Sequence, residues 1–323
     1  MKLGRREFLR LPAATVVSVA ASGVVWALDY PTRPVHFVVQ FFPGSLGDIT
    51  ARVIAQWLSS RFGQQVLVED QPGAAGNLAT AAVVRAPPDG YTLLETTSAN
   101  AWNATLYSNL NFDFIRDIAP VACISLTPAV LVVNPSLPAG TVLEFIAYAK
   151  ANPGKINVAS GGVGTLPHVA AELFKSMTGV DLVHVPYSSS YLSDLLSGQV
   201  QASFSPIPTV IEQVKAGNLR ALAVTGATPS SSLPGIPTLG EFVPSYEASA
   251  FTGVGVPRGT PAEIMDKLHD AINAALADPK IQARLAQLGS VPTPMSRVEF
   301  GKFLVEYTEK WGRVIRAAGI KAQ

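Results

Sequence analysis

Cysteine is all but missing. Cys123 stands alone among 323 residues, so the chain has no internal disulfide and no cysteine-based metal site. It also lies far from the N-terminus, which excludes a lipid-anchoring role there. Histidine is scarce too. His36, His168, His184 and His269 show no zinc-like spacing. Charged residues make up only 15% and nearly cancel, so nothing electrostatic argues for nucleic acid or an anionic membrane. The phosphate-binding Gly-x-x-x-x-Gly-Lys and the dinucleotide Gly-x-Gly-x-x-Gly are missing. So is a Gly-x-Ser-x-Gly elbow, because Val158 stands two residues before Ser160. No cofactor is implied.

The N-terminus carries a pattern of its own. Lys2, Arg5, Arg6 and Arg10 form a basic start, and Leu11 to Ala27 has no charge. Val25-Trp26-Ala27 ends on a small residue. This layout predicts a secretory signal over 1–27, cut near Ala27. The apolar stretch is short for a span of about 20 residues; the other readings are an uncleaved anchor or an N-terminal core helix. Arg5-Arg6 before Glu7-Phe8-Leu9 suggests a Tat-type signal over a Sec one. The segment holds four of the 24 Lys/Arg and one of the 23 Asp/Glu, so its removal turns a net +1 into −2. The expected product is a soluble exported protein with a core large enough for two domains.

Strand-like and helix-like runs alternate. Val35–Val39 reads as a strand, Phe42–Gly47 as a Pro/Gly loop, and Asp48 as the cap of a helix that Gly63 ends. Gln65–Glu69 and Tyr91–Leu94 read as further strands. The pattern restarts with a strand at Ala129–Val133, a helix at Leu143–Ala151 and a strand at Ile156–Ala159. The loop Ser160–Thr165 leads into a helix that Gly179 ends. Leu182–Val185, Ala202–Phe204 and Leu219–Val224 follow as a second sheet, then a loop over Thr228–Ser245 and a strand at Thr252–Val256. Thr260, Asp278 and Ser296 mark three helix starts. Such alternation predicts parallel strands with crossover helices.

Two Gly-rich loops each join a strand to a helix. Free N–H groups and the dipole at a helix start suit an anion, and glycine allows close approach. Thr165 is placed to cap the second helix. His168 falls at its third position, able to donate to a ligand or close the cap. Ordinary βα turns are the other reading. Phe42 and Tyr187 sit at the sheet edge where open α/β folds bind ligands, or are core packing. Asp48 reads as a cap or a ligand contact. His36 and His184 read as structural strand residues.

Spread over almost all of the chain after residue 27 is a set of segments that resembles a known family. It runs Tyr30-Pro31, Phe42-Pro43-Gly44 with Asp48, Val68 to Ala74 and Pro88 to Leu94. It continues with His184-Val185-Pro186-Tyr187, Gly198-Gln199-Val200, Leu219 to Thr225, Leu233-Pro234, Ile236-Pro237-Thr238, Trp311 and Ala318-Gly319-Ile320. The chain resembles the Bug-type periplasmic solute receptors of tripartite tricarboxylate transporters. The resemblance implies an α/β, two-domain periplasmic-binding-protein fold of type II-like form, hinged, with a ligand cleft between domains. The expected division is 28–127 with 250–323, against 128–249. It implies capture of a small carboxylate by backbone groups and water from loops 42–48 and 160–168. Delivery to the membrane components of a tripartite transporter follows, with the receptor as a monomer. The candidate contacts are Phe42, Pro43, Gly44, Ser45, Leu46, Asp48, Ser98, Ser160, Gly164, Thr165, His168, Tyr187 and Ser205.

Three departures bear on the ligand. Ser45 stands where the family commonly has a second Gly, and Ala75 interrupts the usual Pro-Gly-Ala-Gly-Gly. The stretch Ser188 to Ser193 before Asp194-Leu195 differs in composition and length, and Tyr191 is placed to fill space there. The alternatives are a receptor that signals to a membrane sensor and an exported enzyme built on a Ser160–His168 pair.

Overall fold

The computed structural model describes residues 29–187 and 190–321. The signal reading on 1–27 lies outside the described residues, as do Ser188 and Ser189 of the altered loop.

Ten strands form one connected sheet: β1 (Val35–Val39), β2 (Val66–Asp70), β3 (Thr92–Thr97), β4 (Ile118–Val133), β5 (Asn157–Ser160), β6 (Val183–Pro186), β7 (Ala202–Pro206), β8 (Arg220–Val224), β9 (Ser249–Pro257) and β10 (Val291–Pro292). The order is β2-β1-β3-β9-β4-β7-β5-β6, with β8 and β10 also on β4. The helices are α1 (Leu46–Phe62), α2 (Asn77–Val84), α3 (Ser98–Leu106), α4 (Phe114–Asp117), α5 (Val142–Ala151), α6 (Leu166–Thr178), α7 (Leu192–Ser197), α8 (Ile207–Lys215), α9 (Ala262–Leu276), α10 (Pro279–Gln287) and α11 (Arg297–Ala317).

The sheet is mixed, which corrects the all-parallel expectation. β1 pairs in parallel with β2 and β3, and β5 with β6 and β7. β9 runs antiparallel to both β3 and β4. The 16-residue β4 joins the halves. Ile118–Pro128 lies on β9, whereas Ala129–Val133 lies on β7. The second group of strands, β5 to β8 on the end of β4, forms the expected second sheet, and β4 joins it continuously to the first. The first part of β4 escapes a search for apolar runs because Pro120, Ser125, Thr127 and Pro128 interrupt it. Its pairing with β9 shifts register at Pro120/Ala122 and Cys123/Ser125, where bulges absorb the mismatch.

Amphipathic stripes set the packing. Ala51, Ile54, Ala55 and Leu58 of α1 share a buried cluster with β1 and α9. Helix α11 buries Phe300, Leu304, Tyr307 and Trp311 against α3, β4 and β9. Trp311 meets Trp102 edge-on at 6.0 Å, and Phe251 meets Tyr307 at 5.1 Å. Aromatic burial of this kind contributes about 1.5–3 kcal/mol per side chain. This block fixes α3 against β9 and so builds one wall of the cavity described next.

The caps need two corrections. Ser45, not Asp48, caps α1: its Oγ accepts the Asp48 N–H at 3.2 Å, and Asp48 sits in the first turn. At the start of α9 the cap position falls on Pro261, and the Thr260 hydroxyl donates to the Pro257 carbonyl instead. Asp278 and Ser296 cap α10 and α11 as expected, and Gly63 and Gly179 close α1 and α6 in the left-handed region.

Candidate functional site

Three strands end beside one space. β1 leads into α1 and β5 into α6 through short turns, and β3 passes directly into α3. Between them lies a cavity of about 540 Å³. Its lining includes the first residues of all three helices: Ser45-Leu46-Gly47, Ser98-Ala99 and Thr165-Leu166. The opening N–H groups of a helix have no partner within it, and the dipole adds positive potential. No lysine or arginine is among the described residues lining the cavity. Trp102, Leu106, Tyr107 and Phe251 give it apolar walls. The arrangement suits an anion with an apolar body, desolvated without a cationic side chain.

A buried polar network sets the α3 start. Gln40 Nε2 donates to the Glu95 carbonyl and, at 2.8 Å, to Asn100 Oδ1. Asn100 Nδ2 donates to Thr80 at 2.8 Å, and Thr97 N–H donates to Asn100 Oδ1 at 2.8 Å. The opposing loop reaches across the cleft. Gly164 has φ +78°, and a Cβ there would come within 3.1 Å of Leu106; glycine alone satisfies both demands.

Five of the sequence-predicted residues meet at this cavity: Ser45, Leu46, Ser98, Gly164 and Thr165. Ser98 Oγ is already engaged, accepting from the Phe251 N–H at 2.8 Å and lying 2.9 Å from the Tyr307 hydroxyl. Thr165 occupies the cap position of α6, but its hydroxyl donates to the Gly162 carbonyl at 2.8 Å. The remaining eight do not line the cavity. Phe42 is 71% exposed, and Pro43 and Gly44 are exposed beside it. Asp48 is buried, accepts the Gly44 N–H at 2.7 Å, and pairs with Arg52 at 2.6 Å. Tyr187 donates to Asp194 at 2.7 Å. Ser205 accepts from Tyr191 at 3.0 Å, and Tyr191 is buried.

Ser160 and His168 do not pair. Ser160 Oγ lies 2.6 Å from His184 Nε2. His168 Nδ1 accepts the Gly164 N–H at 3.1 Å, and its ring stacks on His184 at 3.7 Å. Burial first, then the His184 and Lys175 charges, pushes His168 down to about 3; burial likewise lowers His184. Both rings are neutral at pH 7 and brace the loop. No carboxylate among the described residues is hydrogen-bonded to His184.

Sequence reading missed Glu95, Thr97, Trp102, Leu106 and Phe251. A signal for the third helix start existed: Thr97-Ser98-Ala99-Asn100 follows the Tyr91–Leu94 strand as a cap should. No sequence signal places Phe251 there, since β9 arrives from 150 residues away.

The profile described as "Tripartite tricarboxylate transporter family receptor" matches residues 50–320. Protein BugT of Bordetella pertussis is 34% identical over 320 residues, covering 97% of this chain and 98% of that protein. Among solved structures, Rpa4515 of R. palustris with adipate is 35% identical, with a TM-score of 0.78 over 91% of this chain and 99% of that one. MatC of Rhodopseudomonas palustris with bound malate is 29% identical, with a TM-score of 0.73 over 88% and 100%. A TctC solute-binding protein from Polaromonas, without ligand, is 25% identical, with a TM-score of 0.80 over 89% and 99%.

Proposed function

We propose a ligand class and a binding mode for this chain, which belongs to the family of tripartite tricarboxylate transporter receptors. It captures a small organic carboxylate outside the cytoplasm and presents it to the membrane components of a tripartite transporter. The observation that carries this reading is the convergence of three helix starts on one cavity lined, among the described residues, by no basic side chain. The carboxylate accepts from backbone N–H groups at Leu46-Gly47, Ser98-Ala99 and Leu166. Adipate and malate in two related structures support the ligand class.

The chain works as two lobes, 28–127 with 250–323 against 128–249. They hinge where β4 passes from β9 to β7 and where β9 begins, near Thr127-Pro128 and Ser249-Ala250. The lobes close on the ligand, with Gly164 opposite Leu106. Residues 1–27 direct export through a Tat-type signal, cut near Ala27, and the receptor acts as a monomer without catalysis.

A ligand that binds only the folded protein stabilises it by mass action. At a hundredfold over Kd the gain is about 2.7 kcal/mol, or several degrees in Tm. A melting screen of di- and tricarboxylates, aromatic acids and amino acids is expected to give at least one such shift. No shift from any carboxylate, and none co-purifying, ends the carboxylate reading.

A further inference from the structure

Glu95 contributes nothing to the carboxylate site at the helix starts. It stands on β3 beside the cavity and is fully buried. Neither carboxyl oxygen has a hydrogen-bond partner among the described residues. An unpaired buried acceptor loses its water without compensation, and the penalty is larger when it is charged. Leucine would fill a simple packing position here without that cost. The Gln40 side chain takes the Glu95 main-chain carbonyl, and the Gln40 backbone favours the Glu95 anion without outweighing its burial. A Cβ at residue 47 would collide with the Glu95 carboxyl, so only glycine lets the α1 start and this acid share the cavity edge.

The charges around it are lopsided. Asp48 of α1 and Asp70 of β2 act on Glu95 as like charges. Arg52 answers those two, at 2.6 Å and 2.9 Å. Gln40, after β1, and Thr252, on β9, bring no charge. A second ligand carboxylate would meet acids in this corner, whereas a cation would meet its complement.

We propose that Glu95 reads an ammonium group on the ligand, so that the receptor favours amino-carboxylates over plain acids of the same shape. The ligand carboxylate lies at the α3 and α6 starts, and its ammonium supplies the donors that the Glu95 oxygens lack. This rests on the reading of the helix starts as the carboxylate site. In the empty receptor, burial above all, with Asp48 and Asp70 adding to it, pushes Glu95 up to about 8. At pH 7 the empty site therefore holds a proton. An ammonium beside Glu95 favours the anion, and the proton leaves for solvent as the ligand enters.

The test uses two matched pairs, L-glutamate with glutarate and L-phenylalanine with 3-phenylpropanoate. Calorimetry is run on the exported chain, on Glu95→Gln and on Glu95→Leu, in buffers of different ionisation enthalpy. The wild type is expected to bind at least one amino member about tenfold or more tighter than its partner and to release a proton at pH 7. Both variants are expected to melt no lower than the wild type. In both, the preference falls to within roughly threefold and the proton release vanishes, while the plain acid binds at least as well. A preference unchanged by the substitutions, or a wild type that prefers the plain acids, overturns the proposal. So does a wild type that binds none of the four while other carboxylates raise its Tm, and the carboxylate reading then survives alone. If no carboxylate raises Tm, both fall.

Discussion

His168 shows how far one residue's role depends on its surroundings. On the sequence it sits third in a helix behind a Gly-rich loop, and ligand contact and local capping are equally open. In the fold it accepts the Gly164 N–H and stacks on His184. Its pKa, about 3 against an ordinary 6.5, has a definite sign for stability. A histidine lowered in the folded state stabilises fully above its unfolded value and loses that contribution as pH falls. Between pH 7 and pH 5 the wild type is expected to lose up to about 2 kcal/mol more than His168→Gln. Urea denaturation at both pH values measures the difference, and parallel losses would mean that His168 is solvated. Glu95 was not legible at this scale. Nothing in Leu93-Leu94-Glu95-Thr96 announces that an acid is buried beside a cavity, because its burial comes from Gly47, Gln40 and β9, all distant in sequence.

Among the elements, the strand–loop–helix units were the most legible. Strand β1 and helices α5 and α6 appear in the sequence within a residue or two, and α1 within three at its start, since their stripes and glycine stops are local signals. Helix α3 was not seen: its nine residues carry Asn100 and Asn103, which serve a buried network rather than a polar face. The turn before α2 was read only as a departure, Ala75 in place of glycine. The structure gives that departure a cost. Ala74 and Ala75 hold φ of 47° and 53°, and the Ala75 carbonyl accepts from Asn103 Nδ2 at 2.9 Å. A side chain in the left-handed region costs about 1–2 kcal/mol, partly offset by the freedom glycine adds to the unfolded chain. Ala75→Gly is therefore expected to raise stability by up to about 1 kcal/mol. Thermal and urea unfolding both report it, and a loss of stability would mean that the Ala75 methyl earns its place against the cavity.

Across the whole molecule, the α/β class was readable from alternation, while the mixed sheet was not. Strand direction is settled by β9, which runs antiparallel to both β3 and β4 after a return from the far half of the chain. The same return brings Phe251 to the α3 start, so topology and site were hidden together. The single strand β4 runs through both halves. A crystal structure with whichever carboxylate raises Tm most shows whether backbone at the helix starts holds the ligand. The carboxylate oxygens are expected within about 3 Å of N–H groups at the starts of α1, α3 or α6, with Val163–Leu166 closed over them. A ligand clamped by Arg52 or another cationic side chain, or bound outside this cavity, would contradict this expectation.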